Sequence, residues 1–244
     1  MTGTTHDRDG VTIVTGAAGG IGLAICERLH RDGHRLALFD VDEARTAAAA
    51  AALGDAARAY RVDLADADAI AAAVAAVRAA QGPIAGLVNN AGIIQLKTLA
   101  DTSARDFDLT MAINLRAPFL LLQAVAPDMI ARRAGAVVSI ASSAGKTGGS
   151  SAQGVYGVSK AGVICLTKSY ARELAAYGVR VNSVSPALIE TPMIDGLAHL
   201  AENVPLRRLG QPAEVAEVVA FLMSERASFV TGEDIDVNGG FLMD

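Results

Sequence analysis

The chain has 244 residues, with 26 acidic against 21 basic side chains and a formal net charge of −5. That length suits one large α/β domain with a substantial core, and an acidic balance without any lysine-rich run or basic stripe argues against nucleic acid as a partner. Apolar residues make up 52%, yet FLLLQAV soon meets Pro127 and Asp128, and no unbroken apolar run approaches the ~18 residues of a membrane span.

The opening residues 1–9 are polar and lack the layout of a secretory signal, so they read as a flexible tail and a cytoplasmic location is expected. The first strand, VTIVT at 11–15, runs directly into a glycine-rich turn and a helix start, TGAAGGIGLAICERL. Glycines 16, 20 and 22 permit a tight turn, close backbone approach to a pyrophosphate and close packing of helix on strand. The helix N-terminus beside them, starting near Gly20 and Ile21, offers N–H groups to the anion. The spacing is GxxxGxG rather than the commoner GxGxxG.

Cys26 lies in the helix that follows and Cys165 in a later one; neither belongs to a CxxC pattern, and both read as buried free thiols. His30 and His34 have i, i+4 spacing, but Gly33 falls between them and no acidic third ligand is evident, so no metal is expected. The second strand, RLALF at 35–39, ends at Asp40, 24 residues beyond Gly16. A carboxylate near that spacing accepts hydrogen bonds from the adenosine ribose hydroxyls and repels a 2′-phosphate. With no basic residue at Gly19 or Val41, NAD is favoured over NADP. The alternative role for Asp40 is a helix cap, which Asp42 can equally fill.

The third strand, ARAYRVD at 57–63, places Asp63 and Leu64 where they could meet an adenine edge or simply close a turn. The fourth, GLVNN at 86–90, leads into Asn90, Ala91 and Gly92. A long helix over 104–133 carries Asn114 in its middle, where a residue that competes for backbone hydrogen bonds predicts a kink. The fifth strand, AVVSIAS at 136–142, ends on Ser142 beside Ser143. A second long helix, 155–177, sets Tyr156 and Lys160 on one face, one turn apart. Only four of the 21 basic residues are lysines, and lysine differs from arginine in its compact, pKa-tunable ammonium.

After the sixth strand, VRVNSVS at 179–185, the segment 187–209 has no clean period. It reads either as a mobile flap over the carboxyl ends of the strands or as a packed surface excursion. EDIDV at 233–237 is the seventh strand. Strands alternating with helices, and no linker, predict a single Rossmann-type domain over 1–244: a doubly wound, seven-stranded parallel sheet with helices on both faces.

The motifs TGAAGGIG, Asp63-Leu64, NNAG, Asn114, IASSAG, YGVSK and VRVNSVSPALIET occur in one order along nearly the whole chain. In that order they resemble the short-chain dehydrogenase/reductase family, in its compact single-domain branch. The resemblance implies a tetrad of Asn114, Ser142, Tyr156 and Lys160. It implies cofactor contacts from the NNAG backbone, and from Pro186, Ile189 and Thr191 at the nicotinamide end. Tyr156 would act as general acid/base, its pKa lowered by Lys160 and by the positive nicotinamide. Ser142 would hydrogen-bond the substrate oxygen, and Asn114 would hold a water leading from Lys160 to solvent.

Two features depart from the family pattern: one extra residue between Ser142 and Tyr156, in a stretch containing GGSS, and Pro186-Ala187 where Pro-Gly is frequent. The first makes Ser143 a rival to Ser142. The resemblance extends to polyol and secondary-alcohol dehydrogenases and to 3-oxoacyl-carrier-protein reductases. Many of the latter use NADPH, against which Asp40 speaks, so NAD-dependent oxidation of a polyol, sugar or other small secondary alcohol is the first expectation. Thioester reduction is the second, and a non-catalytic NAD sensor the third. Ile93–Leu96, Lys146–Val155 and Met193–Leu200 are the candidate substrate walls. A homotetramer is implied, with the two long helices pairing across one interface and GGFLMD near another.

Overall fold

Alternation along the strands decides which side chains meet which layer. In β1 (Val11–Thr15), Val11 and Ile13 join one buried cluster and Val14 the opposite one. In β2 (Arg35–Asp40), Ala37 and Phe39 face the first cluster, Leu36 and Leu38 the second. Strands apolar on both faces belong in a parallel sheet covered on both sides. The computed structural model describes residues 10–192 and 198–243 and has that architecture. Seven parallel strands run in the order β3-β2-β1-β4-β5-β6-β7. The others are β3 (Ala57–Arg61), β4 (Ile84–Asn89), β5 (Gly135–Ile140), β6 (Val179–Pro186) and β7 (Asp234–Val237).

Helices α1 (Gly20–Arg31), α2 (Glu43–Leu53) and α8 (Pro212–Met223) cover one face. On the other face lie α3 (Ala67–Gln81), α4 (Ala104–Met111), α5 (Ala117–Arg132) and α7 (Gly154–Leu174). The short α6 (Ala144–Thr147) sits in the loop after β5. The strand order reverses between β1 and β4, so the crevice beyond their carboxyl ends is the ligand position of an open α/β sheet.

The long helix expected over 104–133 is divided by a π-helical turn, Ala112–Arg116, centred on Asn114. By length and composition the run Ala104–Arg132 could cross a membrane, but half of its most apolar window is buried inside the protein. Leu121, Leu122, Val125 and Met129 pack into the core there. The helix expected over 155–177 begins at Gly154 and ends in a 3₁₀ turn, Ala175–Tyr177. The fifth strand ends at Ile140, two residues short of Ser142, so that serine stands in the loop at the carboxyl edge of the sheet. Cys26 is buried as expected, whereas Cys165 is exposed on α7: its neighbours Val163 and Thr167 take the inward positions.

The tail 1–9 and residues 193–197 of the expected flap lie outside the described residues. At the base of the described part, Gly210 N–H donates to Leu188 O (2.9 Å) and Glu190 N–H to Gly210 O (2.8 Å). On the return side Leu206 N–H donates to Gly239 O (3.2 Å), while Val204 is 3% exposed. Those contacts favour a packed excursion over a free flap for the segment's two ends.

Candidate active site

The glycine turn is shaped by close approach. A Cβ on Gly22 would stand 2.0 Å from the Gly16 carbonyl oxygen, and Gly16 itself has φ +64°. Both demand glycine. Asn90 secures the turn from β4: its Nδ2 donates to Thr15 O (3.0 Å) and Gly16 O (3.1 Å). Thr15 Oγ1, buried beneath, accepts from the N–H groups of Asn90 and Ala91, each at 3.0 Å. Sequence reasoning passed over Thr15, whose only signal was a hydroxyl at the end of an apolar strand.

Helix α1 starts at this turn with no side-chain cap and no acidic residue in its first turn. Asp42 caps α2, Asp66 caps α3, and capping boxes close the starts of α4 and α8, while α7, like α1, begins without a side-chain cap. Uncapped N–H groups at a positive dipole end fit a pyrophosphate. The residues therefore suit a dinucleotide. Gly16, Gly20 and Ile21, then Asn90, Ala91 and Gly92, and Pro186, Ile189 and Thr191 all line one cleft, with Thr191 close over Gly20, where a Cβ would lie 3.6 Å from its Cγ2. Flanking bonds at Leu188 and Glu190 form the bridge to Gly210, leaving the N–H and C=O of Ile189 outside it.

At the end of β2 Asp40 accepts from Ala18 N–H (3.0 Å) and Asp42 N–H (3.1 Å). Asp42, not Asp40, caps α2, through Arg45 N–H at 3.0 Å. Asp63 is exposed and accepts from Ala65 N–H (2.9 Å), which makes it a turn residue in this structure, with Leu64 buried beside it. Asp40, Asp63 and Leu64 stand outside the cleft lining, and Gly22 is packed beneath it. Arg45 does line it, although residues 19 and 41 are not basic. Its signal was the Asp42 cap, which puts residue 45 in the first turn of α2, facing the glycine loop.

At the other end Ser142, Tyr156 and Lys160 come together on the cleft wall. Ser142 Oγ accepts from Ala144 N–H (3.1 Å), and Ser143 N–H donates to Pro186 O (3.0 Å). Lys146, at the end of the same loop, pairs with Asp236 (2.6 Å) and Asp234 (3.2 Å) and so pins it to β7. Ser142 lines the cleft and hydrogen-bonds Tyr156, whereas the Ser143 backbone is turned to Pro186, an arrangement that favours Ser142 for the serine role. Between Ser142 and Tyr156 the chain turns through two consecutive left-handed glycines, Gly148 (φ +83°) and Gly149 (φ +72°).

Lys160 Nζ donates to Ile140 O at 2.6 Å and stands 5.7 Å from the centroid of the Tyr156 ring. Burial lowers its pKa to about 8. Burial also raises the Tyr156 pKa, and a hydrogen bond from Ser142 opposes that rise without reversing it. The expected lowering by Lys160 is thus absent from the chain by itself. The ammonium is directed at a carbonyl, and desolvation of the phenolate outweighs the Ser142 hydrogen bond.

Asn114 lies behind the cleft wall, 1% exposed. Its Oδ1 accepts from Ile93 N–H (2.8 Å), while Nδ2 donates to Ile93 O (2.9 Å) and Ser159 Oγ (3.0 Å). These bonds hold the π turn open, a feature common at functional sites. Over the bare Cα of Gly92 a Cβ would lie 3.3 Å from Lys160 Nζ and 3.4 Å from Asn114 Oδ1, so the two polar atoms converge on one spot.

A sequence profile described as enoyl-(acyl carrier protein) reductase matches residues 16–242. A 3-oxoacyl-[acyl-carrier-protein] reductase from Staphylococcus aureus is 37% identical over 240 residues, covering 95% of this chain and 97% of the relative. Nodulation protein G of Azospirillum brasilense is 38% identical over 239 residues, covering 94% and 97%. A crystal structure from Brucella melitensis, described as a short-chain dehydrogenase/reductase, glucose/ribitol dehydrogenase, superposes with a TM-score of 0.90 at 39% identity, covering 97% of this chain and 98% of that one. A seven-stranded doubly wound sheet and relatives matched end to end lead to one conclusion: this chain is an oxidoreductase of the short-chain dehydrogenase/reductase family.

Proposed function

We propose that the chain interconverts a secondary alcohol and a ketone using NAD(H), with 3-oxoacyl thioesters as the first substrate class to test. The observation that carries the reaction type is the grouping of Ser142, Tyr156 and Lys160 on a cleft whose other end is an uncapped helix start. Asp40, at the end of β2 with both carboxylate oxygens turned to the glycine and α2 loops, supports NAD. The polyol expectation yields first place because curated relatives spanning nearly the whole chain are named for 3-oxoacyl-carrier-protein reduction. Polyol oxidation stays as the second reading on one observation, the glucose/ribitol description of the Brucella melitensis neighbour.

The nicotinamide, when bound, supplies or accepts the hydride. Tyr156 handles the proton: its phenol, kept neutral by burial, donates to the carbonyl oxygen in reduction and takes the proton back in oxidation. Ser142 donates a hydrogen bond to the same oxygen as charge develops there. Lys160 orients the ribose of the cofactor, and the spot shared by its Nζ and Asn114 Oδ1 over Gly92 gives protons a way towards solvent.

Exposed Phe107, Leu109, Phe119 and Val158 on α4, α5 and α7 support a homotetramer in which those helices pair, and exposed Phe241 and Met243 support a second interface at the C-terminus. The test of the activity is NADH consumption with 3-oxoacyl thioesters, simple ketones and keto-sugars, and NADH formation with the matching alcohols. Turnover of a 3-oxoacyl thioester at least about tenfold above the others in kcat/KM is the expected result. Turnover confined to polyols would reverse the two substrate readings, and NADH binding without any turnover would favour a sensor.

A further inference from the structure

The loop that carries Ser142 continues into α6, a helix of only four residues with no side-chain cap. A single uncapped turn does not hold its own shape, so its position comes from its neighbours. On one side it is pressed against α7, the helix of Tyr156 and Lys160, with glycine at both contacts. A Cβ on Gly145 would lie 2.8 Å from the Lys160 carbonyl carbon and the Ala161 nitrogen, and one on Gly157 would lie 2.9 Å from Gly148 O and 3.0 Å from Ala144 O. On the other side Lys146 reaches β7, with Nζ 2.6 Å from Asp236 Oδ2 and 3.2 Å from Asp234 Oδ2. The Asp234 side chain, 7% exposed, is fixed in turn by β6: Ser183 Oγ donates to Oδ1 (2.6 Å) and Ser185 Oγ to Oδ2 (2.8 Å). Both serines are fully buried.

Asp234 and Asp236 stand two apart on β7 and so share a face. Two carboxylates there repel each other, and an ammonium between them turns the repulsion into a clamp. With glycine at the contacts between α6 and α7, a shift of α6 passes directly to the hydrogen bond between Ser142 and Tyr156. We propose that Lys146 is a positioning residue that acts through Ser142: its ion pairs with Asp234 and Asp236 hold α6 against α7 and thereby set the Ser142–Tyr156 geometry. The inference rests on the reading of Ser142 as the donor to the substrate oxygen. Lys146 stands outside the lining of the dinucleotide cleft, so its loss should spare nucleotide binding.

The test compares Lys146→Met, which keeps the apolar stem and loses the charge, with Lys146→Arg, Ser142→Ala and the Lys146→Met/Ser142→Ala double variant. Each is assayed with NADH and acetoacetyl-coenzyme A, beside NADH binding by fluorescence. Lys146→Met should lower kcat by about 10- to 100-fold, the scale of a misplacement of about 1 Å, with NADH affinity within about twofold of the wild type. In the Ser142→Ala background the same substitution should lower kcat by less than about threefold, because a residue that acts through Ser142 then has nothing left to position. Lys146→Arg should recover part of kcat. Amide hydrogen exchange reads the clamp without turnover: residues 142–148 should exchange about tenfold or more faster in Lys146→Met, with α7 unchanged. If Lys146→Met does not fold, Asp236→Asn should show the same pattern at smaller amplitude. An equal loss of kcat in both backgrounds, an unchanged kcat, or unchanged exchange over residues 142–148 would overturn the role of Lys146 alone. Undiminished kcat in Ser142→Ala would remove the serine reading and this inference together.

Discussion

The two ends of the cleft are built on opposite principles. At the catalytic end the polar groups are buried and bonded to the protein: Lys160 to Ile140 O, Asn114 to Ile93 and Ser159, Ser142 to Ala144 N–H. At the proposed adenosine end Asp42 and Arg45 are exposed and Asp40 partly so, and the proposed selectivity would lie with side chains facing solvent. Interior dipoles fixed before substrate arrives stabilise developing charge without reorganising. Surface charges tune affinity in small, salt-sensitive steps. Chemistry should therefore fail abruptly when the first end is altered, and binding should change by degrees at the second.

Ser142→Ala should lower kcat by about 10²–10³ with NADH affinity little changed, the usual loss for one oxyanion-type donor. Steady-state kinetics beside a fluorescence titration would read both, and a parallel loss of binding would break the comparison. Gly22→Ala, whose methyl would meet the Gly16 carbonyl at 2.0 Å, should do the reverse: NADH affinity falls by roughly one to two orders of magnitude and stability by about 1–3 kcal/mol. Asn114→Ala strands the Ile93 N–H in the interior, so we expect a loss of about 2–3 kcal/mol and a melting temperature lower by roughly 5–10 °C, read by calorimetry. Asp40→Ala should weaken NADH by about tenfold and leave kcat nearly unaltered.

The strands and their topology were legible because most are short apolar runs bounded by turn residues, β3 (ARAYR) and β7 (DIDV) excepted, and the motifs lie at their carboxyl ends. Ser142 and Tyr156 needed the resemblance, since nothing local distinguishes Ser142 from Ser143 or marks a tyrosine on a helix as functional. What escaped the sequence depended on side-chain reach. Arg45 joins the glycine turn only because α2 begins where Asp42 caps it, and Thr15 only because β4 ends level with β1. The lowering of the Tyr156 pKa expected from Lys160 is absent from the chain by itself for a similar reason: a cation four residues away is visible in the sequence, but not the carbonyl that claims it or the burial of both groups.

The pH dependence has the smallest amplitude per step and sharpens the same contrast. Since burial raises the Tyr156 pKa, the phenol remains protonated through neutral pH. Reduction should thus be nearly flat from pH 6 to 8, while oxidation, which needs the base form, should rise by up to about tenfold per unit. Lys160 adds a stability effect of known sign. Its folded pKa of about 8 lies below the ordinary 10.5, so the folded state binds fewer protons between those values and stability rises with pH across that window. Urea midpoints should show a gain of about 1–3 kcal/mol there in the wild type, absent in Lys160→Met.

The most direct measurement is the Tyr156→Phe variant, assayed for turnover and for NADH binding in the same preparation. The account predicts kcat lower by about 10³ or more, with NADH affinity within about threefold of the wild type. Near-normal turnover in a folded variant would contradict the assignment of the proton to Tyr156.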